Sequence, residues 1–136
     1  MEGEQRPLEL ILARNLVASL STPAFLASGP GDIIFYNEAA GSVLGRRFEE
    51  TGKMSAEEWT SKFGPFDPES GEPIPLEEQP LTIALRSNQP GHARYNIRSE
   101  TGAEHEIVAV GLPLVGVQGF EGAMVFFWPA QERAAA

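Results

Sequence analysis

The sequence contains no cysteine. Disulfides, thiolate nucleophiles, zinc-thiolate sites and cysteinyl attachment of a chromophore are therefore excluded. Basic residues are also scarce, because ten lysines and arginines stand against 19 aspartates and glutamates and leave a net charge of −9. Such a chain repels nucleic-acid phosphates and anionic membrane surfaces, and we expect neither as a partner.

Long apolar runs are missing as well. The uncharged stretch 107–119 is interrupted by Gly111, Pro113 and Gly116. It falls short of the ~20 apolar residues that a membrane-spanning helix needs. The segment 1–4 (MEGE) is acidic, where a secretory signal would be basic. The sequence therefore predicts a cytoplasmic protein.

What the chain does contain is a globular balance of residues: 42% are hydrophobic and 21% are charged. Its 136 residues suit one compact domain. We predict a single domain at 8–129, with a leading helix over 8–20, and tails at 1–7 and 130–136.

The leading helix is predicted from apolar residues that recur at helical spacing. These residues are Leu8, Ile11, Leu12, Leu16, Val17 and Leu20. They present more apolar surface than the flank of one sheet needs as a cover. We therefore expect a homodimer interface on this helix, formed by Leu8, Ile11, Leu12, Leu16 and Leu20. The alternative is that the helix covers the outer face of its own sheet.

Five strands and several helices follow from the remaining pattern. Apolar runs around a turn rich in glycine and proline predict a hairpin, and period-two alternation predicts three later strands. The strands are expected at 24–27, 33–36, 92–99, 106–115 and 123–128. Helices are expected at 38–44, between the caps Asn37 and Gly45, as short pieces within 48–75, and at about 77–87. This order predicts an α+β domain with a five-stranded antiparallel sheet, whose helices lie between strands two and three and cover one face.

Three segments in this order resemble the Per-Arnt-Sim (PAS) sensor family over about 8–128. The first, 31–40 (GDIIFYNEAA) followed by Leu44-Gly45, is similar to the family's G-x-I-x-x-x-N-x-A-A … L-G segment. The others are 71–81 (GEPIPLEEQPL) with Ala84-Leu85, and the closing hairpin from Thr101-Gly102 through Pro113-Leu114 to 119–122. The end of the chain departs from the family, which often continues into a helical linker and an effector. We therefore expect a stand-alone module of bacterial type, whose output passes through a protein effector in trans or through self-association.

The resemblance implies a sensory or protein-interaction module without catalytic activity. PAS domains hold ligands between the inner sheet face and the helices. The residues that would line such a pocket are Trp59, Phe63, Leu81, Leu85, Tyr95, Ile97 and Met124. An apolar small molecule such as an acyl chain would suit them, although ordinary core packing is the simpler interpretation.

Two cofactors of the family are disfavoured. Haem-binding relatives usually take an axial histidine from the helix that here spans 77–87, and this helix contains none. Flavin photosensors need a cysteine beside the ring, which this chain lacks. His92 and His105 have charged neighbours and are interpreted as surface residues, so no metal site is expected.

Two alternative functions remain open. One is a small cone-shaped isomerase or dehydratase that uses Asp32 with Tyr95, although the position of Asp32 in a turn favours a structural role. The other is a pure dimerisation module with no ligand.

Overall fold

The computed structural model describes residues 8–115 and 121–130. Its five strands form one antiparallel sheet in the spatial order β2-β1-β5-β4-β3, so the last strand lies in the centre beside the first. The strands are β1 (Ala24–Ser28), β2 (Ile33–Tyr36), β3 (Gly91–Arg98), β4 (Glu104–Val115) and β5 (Glu121–Pro129). The predicted α+β class and five-stranded antiparallel sheet are confirmed.

One helix precedes the sheet, and the others lie between β2 and β3. They are α1 (Leu8–Ser19), α2 (Glu38–Leu44), α3 (Phe48–Thr51), α4 (Ala56–Lys62) and α5 (Pro80–Ser87), with a 3-10 turn at Leu76–Glu78. None of these helices is long and apolar enough to cross a membrane. The predicted tail 1–7, the turn 116–120 and the final 131–136 lie outside the described residues.

The helix expected at about 77–87 begins later, at Pro80. Gln79 adopts an extended conformation with φ −80° and ψ 142°, because the residue before a proline avoids helical geometry. The preceding three residues form the separate 3-10 turn. The prediction was therefore wrong by three residues at the N-terminal end.

The sheet separates two apolar clusters, because alternate residues of a strand face opposite sides. On β5, Val125 and Phe127 join the inner cluster under the helices, whereas Met124 and Phe126 lie with the outer cluster. Helix α1 closes the outer cluster. Its residues Leu10, Ala13 and Val17 pack with Ala24, Leu26, Phe35 and Met124.

Helix α1 thus covers its own sheet, but with a different stripe of residues from the expected one. Of the expected stripe, only Val17 is fully buried. Four of its members face solvent, with exposed fractions from 43% to 65%: Leu8, Ile11, Leu12 and Leu16. The helix therefore has two apolar sides, of which the described residues cover one.

The side chain of Asn37 joins the ends of α1, β1 and α2. Its Nδ2 donates to the carbonyls of Val17 and Thr22 at 2.9 Å each. Its Oδ1 accepts from the N–H of Ala40 at 2.9 Å, as the predicted cap of α2, and from that of Ala24 at 3.2 Å. Because the side chain is buried, water cannot replace these partners.

We expect Asn37→Ala to lower the free energy of unfolding by about 3 kcal/mol or more, since a helix cap is lost and buried backbone groups lose their partners. Urea denaturation followed by circular dichroism measures the change. Ser42→Ala is the control, because this exposed hydroxyl only bonds within α2. Equal effects of the two substitutions would show that the Asn37 network is dispensable.

Helix α5 lies directly on two paired glycines of the sheet, Gly91 and Gly111. A Cβ on Gly111 would lie 2.5 Å from the carbonyl oxygen of Pro80. Only hydrogen at this position allows the first turn of α5 to approach so closely.

We expect Gly111→Ala to destabilise the domain by about 2 to 3 kcal/mol, because α5 must move away from the sheet. Gly71→Ala is the matched control: its φ is 77°, but its Cβ would meet nothing within 4 Å, so it should cost only about 1 kcal/mol of backbone strain. Chemical denaturation of both variants measures the difference. A loss at Gly111 no larger than that at Gly71 would contradict the close packing of α5.

Candidate functional site

A small cavity of about 10 Å³ lies between the inner sheet face and α4. Its walls are aromatic and aliphatic and carry no charged side chain among the described residues. They are formed by Phe25, Leu44, Trp59, Gly64, Pro65, Tyr95, Ile97, Ile107 and Phe127. The cavity lies where PAS domains were expected to hold a ligand.

Trp59 forms the wall of the cavity on the helical side. A capping box starts its helix: Ser55 Oγ accepts from the N–H of Glu58, and the Glu58 carboxylate accepts from the N–H of Ser55. Trp59 is the one buried residue within α4, and its ring lies 4.8 Å from that of Phe25 and 5.1 Å from that of Phe63. Within α4, Trp59 is therefore the side chain that packs into the core, and the C-cap residue Phe63 is buried beside it.

Tyr95 forms part of the opposite wall, on the inner face of β3. Its side chain is 6% exposed, and burial raises the pKa of its phenol. Within 8–115 and 121–130, its hydroxyl has no hydrogen-bond partner. The indole N–H of Trp59, which is 7% exposed, has none within the same ranges. The side chains of Tyr95 and Trp59 thus both border the cavity, and neither has a hydrogen-bond partner among the described residues.

The residues predicted to line a pocket fall into three places. Trp59, Tyr95 and Ile97 line the cavity, and Phe63 packs behind Trp59. Leu81 and Leu85 instead border a separate groove near Asp32. Met124 lies on the opposite sheet face under α1, so its assignment to this pocket was wrong.

The pair considered for catalysis is not brought together. Asp32 lies at the surface, where its carboxylate is 3.7 Å from the Lys53 ammonium. Tyr95 lines the internal cavity. His92 and His105 are exposed, and the described residues contain no group of three or more side chains that could hold a metal ion.

A wider groove of about 650 Å³ runs between the end of α1 and α2, and includes Arg46 and Arg47. Its polar side chains are exposed or half-buried. Solvent therefore reaches them, and they do not require a ligand.

A second candidate site is an apolar patch on the outer side of the molecule. It combines the exposed stripe of α1 (Leu8, Ile11, Leu12 and Leu16) with Trp128 of β5, which is 39% exposed. Beside Trp128 on the outer face, Phe126 and its β4 partner Val110 are half-buried. We call these seven residues the outer patch.

An ion cluster holds α4 and the end of α2 against the turn between β3 and β4. The carboxylate of Glu100 lies 2.8 Å from Arg46 Nη1 and 3.4 Å from Lys62 Nζ. The N–H of Glu100 also donates to the carbonyl of Leu44 at 2.7 Å. Desolvation would raise the pKa of Glu100, but hydrogen bonds from Arg46 and Lys62 outweigh it and hold the pKa below its ordinary value.

No family model matches this chain, and no curated protein matches it. Solved structures do match. The PAS domain of nitrogen regulation protein NR(II) from Vibrio parahaemolyticus superposes with a TM-score of 0.62 at 13% identity, over 88% of this chain and 98% of that one. The PAS domain of Bordetella pertussis BvgS gives a TM-score of 0.57 at 14% identity, and the superposition covers 93% of this chain and 89% of that one.

The PAS domain of the fruit-fly ELK potassium channel gives a TM-score of 0.68 at 9% identity, and covers 93% of this chain and all of that one. These likenesses show the fold. This chain has the fold of PAS domains, and the resemblance found in the sequence is confirmed at that level.

The lowered pKa of Glu100 predicts a change in acid stability. Because the folded pKa lies below the ordinary value of 4.5, the ionised carboxylate stabilises the fold above that pH, and this contribution is lost as the pH falls through the folded pKa. The Tm of Glu100→Gln should therefore fall less than that of the wild type when the pH is lowered from about 7 to about 3. Arg46→Gln, which removes a partner of the carboxylate, should also flatten the profile. Parallel profiles for wild type and Glu100→Gln would contradict this account.

Proposed function

We propose that this chain is a sensory PAS module that acts through self-association, binds a small ligand or a protein partner, and has no catalytic activity of its own. It would span 8–129 as one domain in the cytoplasm of a bacterium and act on a protein effector in trans. The observation that carries the proposal is the outer patch. Haem and a cysteinyl flavin stay disfavoured on the sequence grounds given above.

The outer patch supports an interaction role because α1 is already packed. Leu10, Ala13 and Val17 occupy the outer sheet face, so rotation of the helix to bury the exposed leucines would uncover these three residues. Several large apolar side chains exposed on one helix are typical of an interaction site. A second copy of the chain is the occupant we propose, since two identical helices can bury the same stripe about a two-fold axis.

The enzyme alternative has less support. Its two residues, Asp32 and Tyr95, border different cavities, and a general base must lie within hydrogen-bond reach of the proton it removes. The outer patch supports the alternative of a pure dimerisation module equally well. Native mass spectrometry separates the two, because only a sensor that retains its ligand carries extra mass.

We expect wild-type protein to sediment as a dimer and Leu16→Glu to sediment as a folded monomer, because a carboxylate in the apolar interface opposes pairing. Leu12→Glu should behave in the same way. Analytical ultracentrifugation with circular dichroism measures both assembly and folding.

The matched control is Val17→Glu, one position further along α1. Val17 is fully buried against the sheet, so this change should unfold or strongly destabilise the domain rather than only dissociate it. Sedimentation of the wild type at 14.7 kDa, or unfolding by Leu16→Glu to the same degree as by Val17→Glu, would refute the dimer.

A further inference from the structure

We propose that the free edge of β3 binds an extended, acidic segment of a protein partner, which adds to the sheet as a further strand beside His92 and Arg94. This edge gives the partner in trans a docking surface separate from the outer patch. In that respect the inference rests on the proposed function.

Strand β3 lies at the edge of the sheet, with β4 on one side only. On its other side the N–H of Phe66 donates to the carbonyl of Asn96 at 2.8 Å, and the N–H of Asn96 donates to the carbonyl of Phe66 at 2.9 Å. Because the backbone groups of successive residues in an antiparallel strand point to alternate sides, those of His92 and Arg94 point the same way as those of Asn96. They have no hydrogen-bond partner within 8–115 and 121–130.

The protein's own chain does not extend the pairing from Phe66 to Arg94. The next bonded position, two residues after Phe66, is Pro68, which has no N–H to donate. The chain turns back at 68–70 instead. The donors and acceptors of His92 and Arg94 are thus left at the edge of the sheet, and such an edge is a template for another strand.

The charge of this edge favours an acidic strand. Residues 91–98 include His92, Arg94 and Arg98 but no aspartate or glutamate, in a chain with a net charge of −9. The exposed side chains of His92 and Arg94 lie on the outer sheet face, and the residues opposite them would lie on the same face. Arg94 bonds to Glu106 through Nε, and a guanidinium carries further N–H donors for a second carboxylate.

Between the two acidic positions the added strand would present an apolar side chain. Ala93 faces the inner cluster and is half-buried, so the residue opposite it would face the same side. Ile83 of α5 lies over the adjoining Gly91, where a Cβ would be 2.8 Å from the Cβ of Ile83. The pattern that fits this edge is therefore acidic, apolar, acidic in an extended segment.

A second copy of the chain does not supply this pattern. Two β3 strands that met about a two-fold axis at Ala93 would place Arg94 of each copy opposite His92 of the other. Neither strand would offer a carboxylate to the arginine, and basic side chains on an edge strand oppose pairing between identical edges. The edge thus favours an acidic partner over self-association.

The probe is a blocked peptide of alternating glutamate and valine. It should slow deuterium exchange of the His92 and Arg94 amides in NMR spectra, whereas the amides of Ala93 and Tyr95, which point towards β4, should already exchange slowly. In the antiparallel alignment the N–H groups of the glutamates face β3. N-methylation of the glutamates should therefore weaken binding at least about tenfold, and N-methylation of the valines should leave binding unchanged.

Substitutions test the charge of the edge. Arg94→Glu should weaken binding of the glutamate peptide at least about tenfold and favour a peptide of alternating lysine and valine. Arg47→Glu is the matched control, because this exposed arginine borders the groove between α1 and α2 and should leave binding unchanged. Circular dichroism checks that both variants are folded.

Two proline variants test the direction of the backbone groups. His92→Pro should stay folded and lose the peptide, because the N–H that it removes points away from β4. Ala93→Pro should lower the Tm strongly, because it removes a hydrogen bond to β4. A loss of stability in His92→Pro equal to that in Ala93→Pro would overturn the inference.

Three binding results would also overturn it: no change at His92 and Arg94 on addition of the peptide, equal weakening by the two N-methylated peptides, or equal binding of the lysine peptide. Dissociation of a wild-type dimer by His92→Pro would show that a second copy occupies the edge and would contradict the acidic partner. The proposed self-association is tested by Leu16→Glu without any peptide. Failure of this inference and failure of the proposed function are therefore distinguishable.

Discussion

The carboxamide of Asn37 is the interaction on which the rest of the structure depends. It bonds the last turn of α1, the start of β1 and the first turn of α2 through one side chain. Because donors and acceptors on three segments must be satisfied together, the end of α1 is fixed relative to the sheet. That position places Val17 on the outer face and turns Leu12 and Leu16 towards solvent. The exposure of these two leucines thus accompanies the buried amide that fixes the end of α1.

The sequence predicted those features that depend on local chemistry. Asn37 and Gly45 cap α2 as expected. An asparagine side chain accepts from the free N–H groups at the start of a helix, and glycine adopts the left-handed conformation that ends one. The sequence could not predict which alternate residues of β5 face the inner cluster. The run from Ala123 to Trp128 is apolar on both faces, so either orientation buries apolar side chains. Met124 was misplaced for this reason. Helix α1 posed the same difficulty, because the side with Leu10 and the side with Leu12 are both apolar, and either could face the sheet.

The size of the cavity could not be predicted, because it depends on how side chains from distant segments pack against one another. Trp59, Tyr95 and Phe127 come from three separate elements, and the gap between them depends on their rotamers and on the loop at Gly64. No spacing in the sequence encodes such a gap. An interior that is otherwise closely packed makes each missing contact consequential, and a polar atom at the gap sets the chemistry of whatever fills it.

The central position of β5 connects the two candidate sites. Phe127 lines the internal cavity, while its neighbours Phe126 and Trp128 belong to the outer patch on the other side of the same strand. Under the proposed function, a ligand that displaced Phe127 would act on the strand that also carries Phe126 and Trp128, while Asn37 holds the end of α1 in place. Ligand binding would then alter the surface on which two copies meet, and differential affinity of the ligand for the two arrangements would set the strength of the response.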